Sequence, residues 1–298
     1  MTLSSTDIAL LVNPTAGKGR ASKLVAAVAA RLRDGGANVS ILIGRDADDA
    51  LTLGRKAVAN GVGAVVALGG DGMVHLAVNI VANTGTPLGV VPAGTGNDLA
   101  ASLNLPKRDP VAAAAIVIDR LTSGGARPID AVRVGEKWFG CVLGAGFDSR
   151  VNDRANRLTW PHGRMRYNLA ILAELGVFSP LPFRLVLDDD EPWETEAMLV
   201  AVGNAKSYGA GMMVCPDADL SDGLLDVTVL GPVSKLEFLR TFPKVYKGTH
   251  VSHRAVTTRR ARVVELASPG VNAYADGELL AQLPIRCECV PGAVQILA

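Results

Sequence analysis

Surplus charge is missing from this chain: 30 basic and 29 acidic residues leave a formal net charge of +1. That balance argues against a globally basic nucleic-acid binder, and with 49% of residues apolar it also argues against a disordered chain. Nowhere does an apolar run approach the ~18 residues that a membrane-spanning helix requires. The opening stretch, MTLSSTDIALLVNP, has neither a basic leader nor a small-residue cleavage site, so no secretion signal is expected. Cysteine is scarce, and Cys141, Cys215, Cys287 and Cys289 lack zinc-site spacing. Cys287 and Cys289 alternate along an expected strand, where they read as small hydrophobes. His162, His250 and His253 show no metal spacing either and read as surface or packing residues, whereas His75 adjoins a glycine-rich turn. No low-complexity tract is present. These absences point to a globular protein of a reducing compartment, expected in the cytoplasm. At 298 residues it is long enough for two domains of ordinary size.

What the sequence does have is glycine placed where strands end. Between Ala64 and Ala100 two similar units stand back to back. Ala64–Leu68 is an apolar run that reads as a strand buried on both faces. It leads into Gly69, Gly70, Asp71 and Gly72, after which Val74, Ala77, Val78 and Val81 recur at helical spacing. Leu88–Val91 repeats the strand, and Gly94, Thr95, Gly96, Asn97 and Asp98 repeat the turn. Glycines at strand ends let main-chain N–H groups come close to a ligand. A helix starting just beyond adds donors and the positive end of its dipole, which together suit phosphate. Asp71 is poorly suited to gripping bare phosphate and well suited to a magnesium-bound one.

Around this stretch the chain alternates. Ile8–Val12 reads as a strand, and a helix with Leu24, Val28 and Leu32 on one face follows, stopping at Gly35 and Gly36. Val39–Ile43 is the next strand and Ala50–Ala59 the next helix, and a further helix is expected over 101–120. Such alternation predicts a parallel sheet with helices on both faces and a binding edge at the loops after the strands. The loop at 13–20 is not a Walker A sequence, because no lysine–serine/threonine pair follows a correctly spaced glycine. At Gly124–Pro128 the texture shifts to short alternating runs, with VGEKW and LDDDEPW as hairpin turns. The expected organisation is therefore α/β + β. A Rossmann-like doubly wound α/β domain spans 1–128 and a β-sandwich domain spans 129–298, with a return of the extreme C-terminus to the first domain left open. Two helical patches interleave cations and aromatics. One has Arg150, Arg154, Arg157, Arg164 and Arg166 with Trp160, and the other Arg240, Lys244 and Lys247 with Phe238, Phe242 and Tyr246. Either an anionic lipid surface or a plainly solvated helix face fits that pattern.

Five motifs stand in order along nearly the whole chain: NPTAGKGRA at 13–21, GGDG at 69–72, PAGTGNDLA at 92–100, DGLLDV at 222–227 and ADGE at 275–278. The series resembles the diacylglycerol-kinase-like lipid kinases, the group of bacterial diacylglycerol kinases and sphingosine kinases, whose nucleotide domain is related to that of NAD kinases. The resemblance implies ATP binding by Asn13, Pro14, Thr15, Ala16 and Gly17, by the segment Gly69, Gly70, Asp71, Gly72, Met73, Val74 and His75, and by Thr95, with Glu278 beside them. It places Asp71 and Asp130 in an acidic network around a catalytic magnesium. Asp276 it makes the residue that takes the proton from a lipid hydroxyl. Asp219, Asp222 and Leu224 become ligands of a second, structural magnesium. Outside the resemblance, Asp276-Gly277 alone would read as a hairpin turn.

Departures from the family pattern are visible as well. Met73, His75 and Leu76 stand where the family has a threonine and a polar Asn-Glu pair, and only Gly44 or Arg45 occupies the place of a nucleotide-contacting threonine. The expected activity is ATP- and magnesium-dependent phosphorylation of a neutral lipid, diacylglycerol first, by an enzyme that visits the inner membrane surface. Two alternatives stay open: an NAD kinase-like enzyme, and a non-catalytic nucleotide- or lipid-binding regulator. A dehydrogenase is not favoured, because the Gly94–Ala100 fingerprint lacks an acidic residue about twenty positions on at a strand end. Neither the lipid nor the oligomeric state is legible, so a homodimer through an exposed strand edge also stays open.

Overall fold

The computed structural model describes residues 6–12, 20–147, 149–151, 154, 170, 173, 179–209 and 211–298, with the backbone alone at 20–22. It divides into two compact units, one of residues 1–131 with 291–298 and the other of residues 132–290.

The first unit alternates β1 (Asp7–Val12), α1 (Arg20–Asp34), β2 (Asn38–Ile43), α2 (Ala47–Ala59), β3 (Ala64–Gly69), α3 (Asp71–Val81) and β4 (Leu88–Pro92). Its strands pair in parallel in the order β2-β1-β3-β4, with Gly69 level with Pro92. Every residue of β3 and β4 is buried, as their unbroken apolar runs require. Side chains from strands and helices, among them Ile8, Leu10, Val28, Leu32, Val66 and Val117, share one core. The helix expected over 101–120 is two helices, α4 (Asp98–Ser102) and α5 (Pro110–Thr122). Asn104 takes a left-handed φ of 58° between them, and Pro106 cannot donate a helical hydrogen bond. Asp109 then caps α5 by accepting from the Ala112 N–H at 2.9 Å. The small face of α5 seats closely on β4, where a Cβ at Gly89 would lie 2.6 Å from Val117 Cγ1. The chain's last residues also belong to this unit: Ile296 is level with Leu88, and Leu297 is fully buried in its core.

The second unit is an antiparallel β-sandwich. β5 (Arg127–Val134) turns at Gly135 into β6 (Lys137–Phe139), the hairpin that VGEKW predicts. One sheet runs β12 (Val256–Ala261), β11 (Leu225–Leu230), β10 (Leu199–Gly203), β7 (Val142–Gly146), β14 (Asn272–Ala275) and β15 (Glu278–Gln282). In the other, β13 (Val263–Ala267) lies between β8 (Leu181–Leu187) and the 285–288 stretch of β16 (Ile285–Ile296), and β9 (Trp193–Ala197) completes it beside β8. Leu143, Val202 and Leu225 from one sheet and Phe183, Leu185 and Val264 from the other fill a common core. Cys287 and Cys289 lie in it as small hydrophobes, and burial pushes the Cys287 thiol up to about 12. A short helix, α6 (Lys235–Thr241), and two 3-10 turns (Phe242–Lys247 and Thr249–Ser252) precede β12.

Candidate active site

In the first unit the two glycine turns lie backbone against backbone. A Cβ on Gly70 would stand 3.1 Å from the Gly94 Cα, and one on Gly94 would stand 2.4 Å from the Gly70 Cα. Glycine is required here by close approach. Gly70 lies between β3 and α3 in extended conformation, and its carbonyl accepts from the Met73 and Val74 N–H groups to open α3 without a side-chain cap. Across the gap Asn97, at φ 58°, closes its own turn: its Oδ1 accepts from the Gly94 N–H and its Nδ2 donates to the Gly94 carbonyl, each at 3.0 Å.

Asp71 ties the turns together. One carboxylate oxygen accepts from the Asn97 N–H at 2.9 Å and the other from the Asp98 N–H at 2.7 Å. A Cβ on Gly96 would collide with Asp71 Oδ2 and come within 3.3 Å of Asp98 Oδ2, so two carboxylates flank that glycine. Asp98, 5% exposed, stands inside the PAGTGNDLA motif, where the sequence marks it only as part of the turn. This pair of hard oxygen donors fits magnesium, which keeps several waters and takes one or two carboxylates. Of the other residues expected to hold nucleotide, Gly72 and Thr95 are exposed, Met73 and His75 half-buried and Val74 buried. Asn13, Pro14, Thr15, Ala16 and Gly17 lie outside the described residues. Asp130, 3% exposed on β5, accepts from the Gly292 N–H at 2.9 Å. Among the described residues no three histidine, cysteine or acidic side chains converge as a metal cage.

In the second unit Asp276 and Gly277, both at positive φ (53° and 89°), form the two-residue link between β14 and β15. Asp-Gly suits such a primed turn. The carboxylate folds back onto the entry of β7. Its Oδ2 accepts from the Gly140 N–H at 3.0 Å, and its Oδ1 from the N–H groups of Cys141 at 2.9 Å and Val142 at 3.3 Å. The Asp276 N–H in turn donates to the Val142 carbonyl at 3.1 Å. Asn204, fully buried just past β10, holds this cradle from the far side. Its Nδ2 donates to the Gly140 carbonyl at 2.9 Å, and the N–H groups of Asn204 and Ala205 both donate to the Cys141 carbonyl. A lone asparagine after a strand gave no sequence signal, because its partner lies 64 positions away. Glu278 is exposed at the start of β15.

The acidic loop is built from turns. Asp219 Oδ1 accepts from the Ser221 N–H and hydroxyl, and these bonds hold its carboxyl below the usual range. Asp222 Oδ1 accepts from the Leu224 N–H at 3.0 Å, and its other oxygen is ion-paired with the Arg260 guanidinium. Arg260 also reaches Asp226, whose carboxyl burial pushes up against the pull of that arginine. Asp222, expected to ligate a second magnesium, thus also carries an ion pair with Arg260.

The family described as diacylglycerol kinase catalytic domain matches residues 7–134, and the family described as YegS C-terminal NAD kinase beta sandwich-like domain matches residues 141–298. A diacylglycerol kinase of Mycobacterium tuberculosis is 48% identical over 295 residues, covering 97% of this chain and 94% of that protein. A diacylglycerol kinase of Bacillus subtilis is 29% identical over 279 residues, covering 92% and 90%. Among solved structures, a diacylglycerol kinase from Bacillus anthracis superposes with a TM-score of 0.74 at 19% identity, covering 99% and 98% of the two chains. An NAD kinase from Archaeoglobus fulgidus in complex with ATP superposes at 0.57 with 10% identity, covering 98% and 93%. At these identities the two structures share the fold.

Proposed function

This chain belongs to the diacylglycerol kinase family of lipid kinases, and from that premise we propose that it moves the γ-phosphoryl group of ATP onto the hydroxyl of a neutral lipid, diacylglycerol giving phosphatidic acid. The observation that carries this reading is the Asp71 tie between two glycine turns that touch through their backbones. Phosphoryl transfer depends on positioning and charge stabilisation. Here a single side chain fixes both turns, so main-chain donors from both strand ends stay in register for the phosphates. Asp71 and Asp98 would hold magnesium, which when bound neutralises charge on the phosphates. Asp276 takes the proton of the lipid hydroxyl as its oxygen bonds to the γ-phosphorus. The bond to the bridging oxygen breaks, and ADP leaves with that electron pair.

The assay is transfer from γ-labelled ATP with magnesium to a panel of neutral lipids in mixed micelles, with NAD as the soluble control. Label in a lipid phosphate is the expected product. Label on NAD alone would overturn the lipid reading.

Among the described residues no helix is long and apolar enough to cross a membrane, so we place the encounter with lipid at the bilayer surface. Leu236 and Leu239 on α6 are 58% and 45% exposed, and Lys235, Arg240, Lys244 and Lys247 are exposed beside them. Arg150 and Arg154 of the other patch are exposed too, whereas Arg157, Trp160, Arg164 and Arg166 lie outside the described residues. Exposed leucines among cations suit an anionic bilayer. Replacing Leu236 and Leu239 together by glutamate should lower activity on anionic vesicles about 10-fold or more. Activity on a short-chain, water-soluble diacylglycerol should stay unchanged. An equal loss on both substrates would rule out a docking role.

A further inference from the structure

Asp276 is half-buried, and the stretch its carboxylate rests on, Gly140, Cys141 and Val142, is buried. Oδ1 accepts from the N–H groups of Cys141 and Val142, and Oδ2 from that of Gly140. A peptide group is planar, so its N–H is aimed by whatever holds its carbonyl. The carbonyls behind the two donors on Oδ1 are those of Gly140 and Cys141, and both end on one short segment. The Gly140 carbonyl accepts from Asn204 Nδ2 at 2.9 Å. The Cys141 carbonyl accepts from the N–H groups of Asn204 at 2.8 Å and Ala205 at 3.0 Å. Two relays therefore run to one carboxylate oxygen. One starts at the Asn204 side chain and passes through the Gly140–Cys141 peptide. The other starts at the backbone of 204–205 and passes through the Cys141–Val142 peptide.

Burying a primary amide is costly unless its hydrogen bonds are made, and Asn204 is 0% exposed. Away from water each bond of such a chain polarises the next, which strengthens the donors at its far end. Gly140, without a Cβ, gives its own peptide little stiffness. The strands on either side are tied separately, because Lys137 Nζ on β6 donates to the Leu280 carbonyl on β15 at 2.7 Å. What the Asn204 side chain fixes is thus the rotation of one peptide group within a frame that has other supports.

We infer that Asn204 is a positioning residue for phosphoryl transfer. It orients the peptide donors that hold Asp276 Oδ1, and so sets where the carboxylate meets the acceptor hydroxyl. The inference rests on Asp276 as the proton acceptor. Because Asn204 acts through that carboxylate, its loss falls on kcat and not on ATP binding.

The test is a double-mutant cycle of Asn204→Ala and Asp276→Asn, read by transfer from γ-labelled ATP to diacylglycerol in mixed micelles. Asn204→Ala should lower kcat about 10- to 100-fold, the effect of a reacting group displaced by roughly 1 Å, with the KM for ATP within about twofold. In the Asp276→Asn background the same substitution should change kcat by less than about twofold, since no carboxylate remains to be placed. Val200→Ala, a core truncation on the same strand β10, should lower the melting temperature by several degrees and keep kcat. A spectroscopic readout is independent of turnover. The chain has four cysteines, so labelling cysteine with the heavy nitrogen isotope gives one amide signal for each, and Cys141 is the one that moves in Asp276→Asn. In Asn204→Ala that signal should move upfield as the bond to Oδ1 weakens. Asn204→Ser, whose hydroxyl is one atom too short for the Gly140 carbonyl, takes the place of the alanine variant if that variant does not fold. Equal losses from Asn204→Ala in both backgrounds, or an unmoved Cys141 signal, would overturn this inference and leave the kinase reading intact. Full activity in Asp276→Asn would overturn the proton-acceptor assignment and this inference with it. Absence of label on every lipid would remove the kinase reading and all that rests on it.

Discussion

Replacing Asp276 by asparagine should cut kcat for lipid phosphorylation by about 100- to 10,000-fold, the range a general base contributes, while ATP binding stays within about twofold. Asparagine is the informative replacement because the position lies at φ 53°, a conformation it tolerates well. The turn between β14 and β15 therefore survives. The side-chain oxygen can still accept from the Cys141 and Val142 N–H groups, but the amide NH2 now faces the Gly140 N–H, donor against donor. That conflict should cost about 1–3 kcal/mol of stability, a shift of a few degrees in melting temperature. Steady-state kinetics with labelled ATP, read beside calorimetric ATP binding and a melting curve, separate these effects. A fold that persists, nucleotide that still binds and phosphate that no longer moves would mark a lost proton acceptor. Full activity in this variant would remove Asp276 from the reaction.

Much of this architecture is legible in the sequence because it is local. β3 and β4 are unbroken apolar runs ending in glycine, so strand, turn and helix start can be read from neighbours a few positions apart. The texture change near Gly124 marks the passage to β structure for the same reason, since alternating runs and turn residues repeat every few positions. What escapes is made by partners far apart in the chain. Asp71 is visible as an acid in a glycine turn, but its bonds to Asn97 and Asp98, 26 and 27 positions on, are not. Asn204 is a single polar residue after a strand until Gly140 is found beside it. His250 shows no spacing with other histidines and reads as a surface or packing residue. It is buried, yet among the described residues its Nδ1 has no hydrogen-bond partner, which no local pattern encodes. The break between α4 and α5 was written locally, in Asn104, Pro106 and Pro110, but the alanine-rich run beyond them dominates a helical reading.

The glycine turns offer the second large effect, through Gly94→Ala. The added methyl would sit 2.4 Å from the Gly70 Cα, 3.0 Å from Asn97 Oδ1 and 3.3 Å from the Gly70 N. None of these atoms is the loose end of a flexible side chain. Gly70 is fixed because its carbonyl starts α3, and Asn97 is fixed by its two bonds to Gly94 itself. Relief must come from separating the turns by roughly 1 Å, a typical response to overpacking that costs about 1–3 kcal/mol. The separation stretches both bonds from the Asp71 carboxylate, so donors on the two strand ends lose their common register. If those main-chain donors hold the phosphates, a displacement of this size should lower kcat/KM for ATP by about 100-fold. Thr95→Ala supplies the contrast, because its side chain is exposed and its loss leaves the turn's backbone intact. That variant should lose only a few-fold, about one exposed hydrogen bond. Were Thr95→Ala the more damaging of the two, the hydroxyl and not the backbone cradle would be gripping the nucleotide. The Asp71 tie would then be a device for folding the strand ends together.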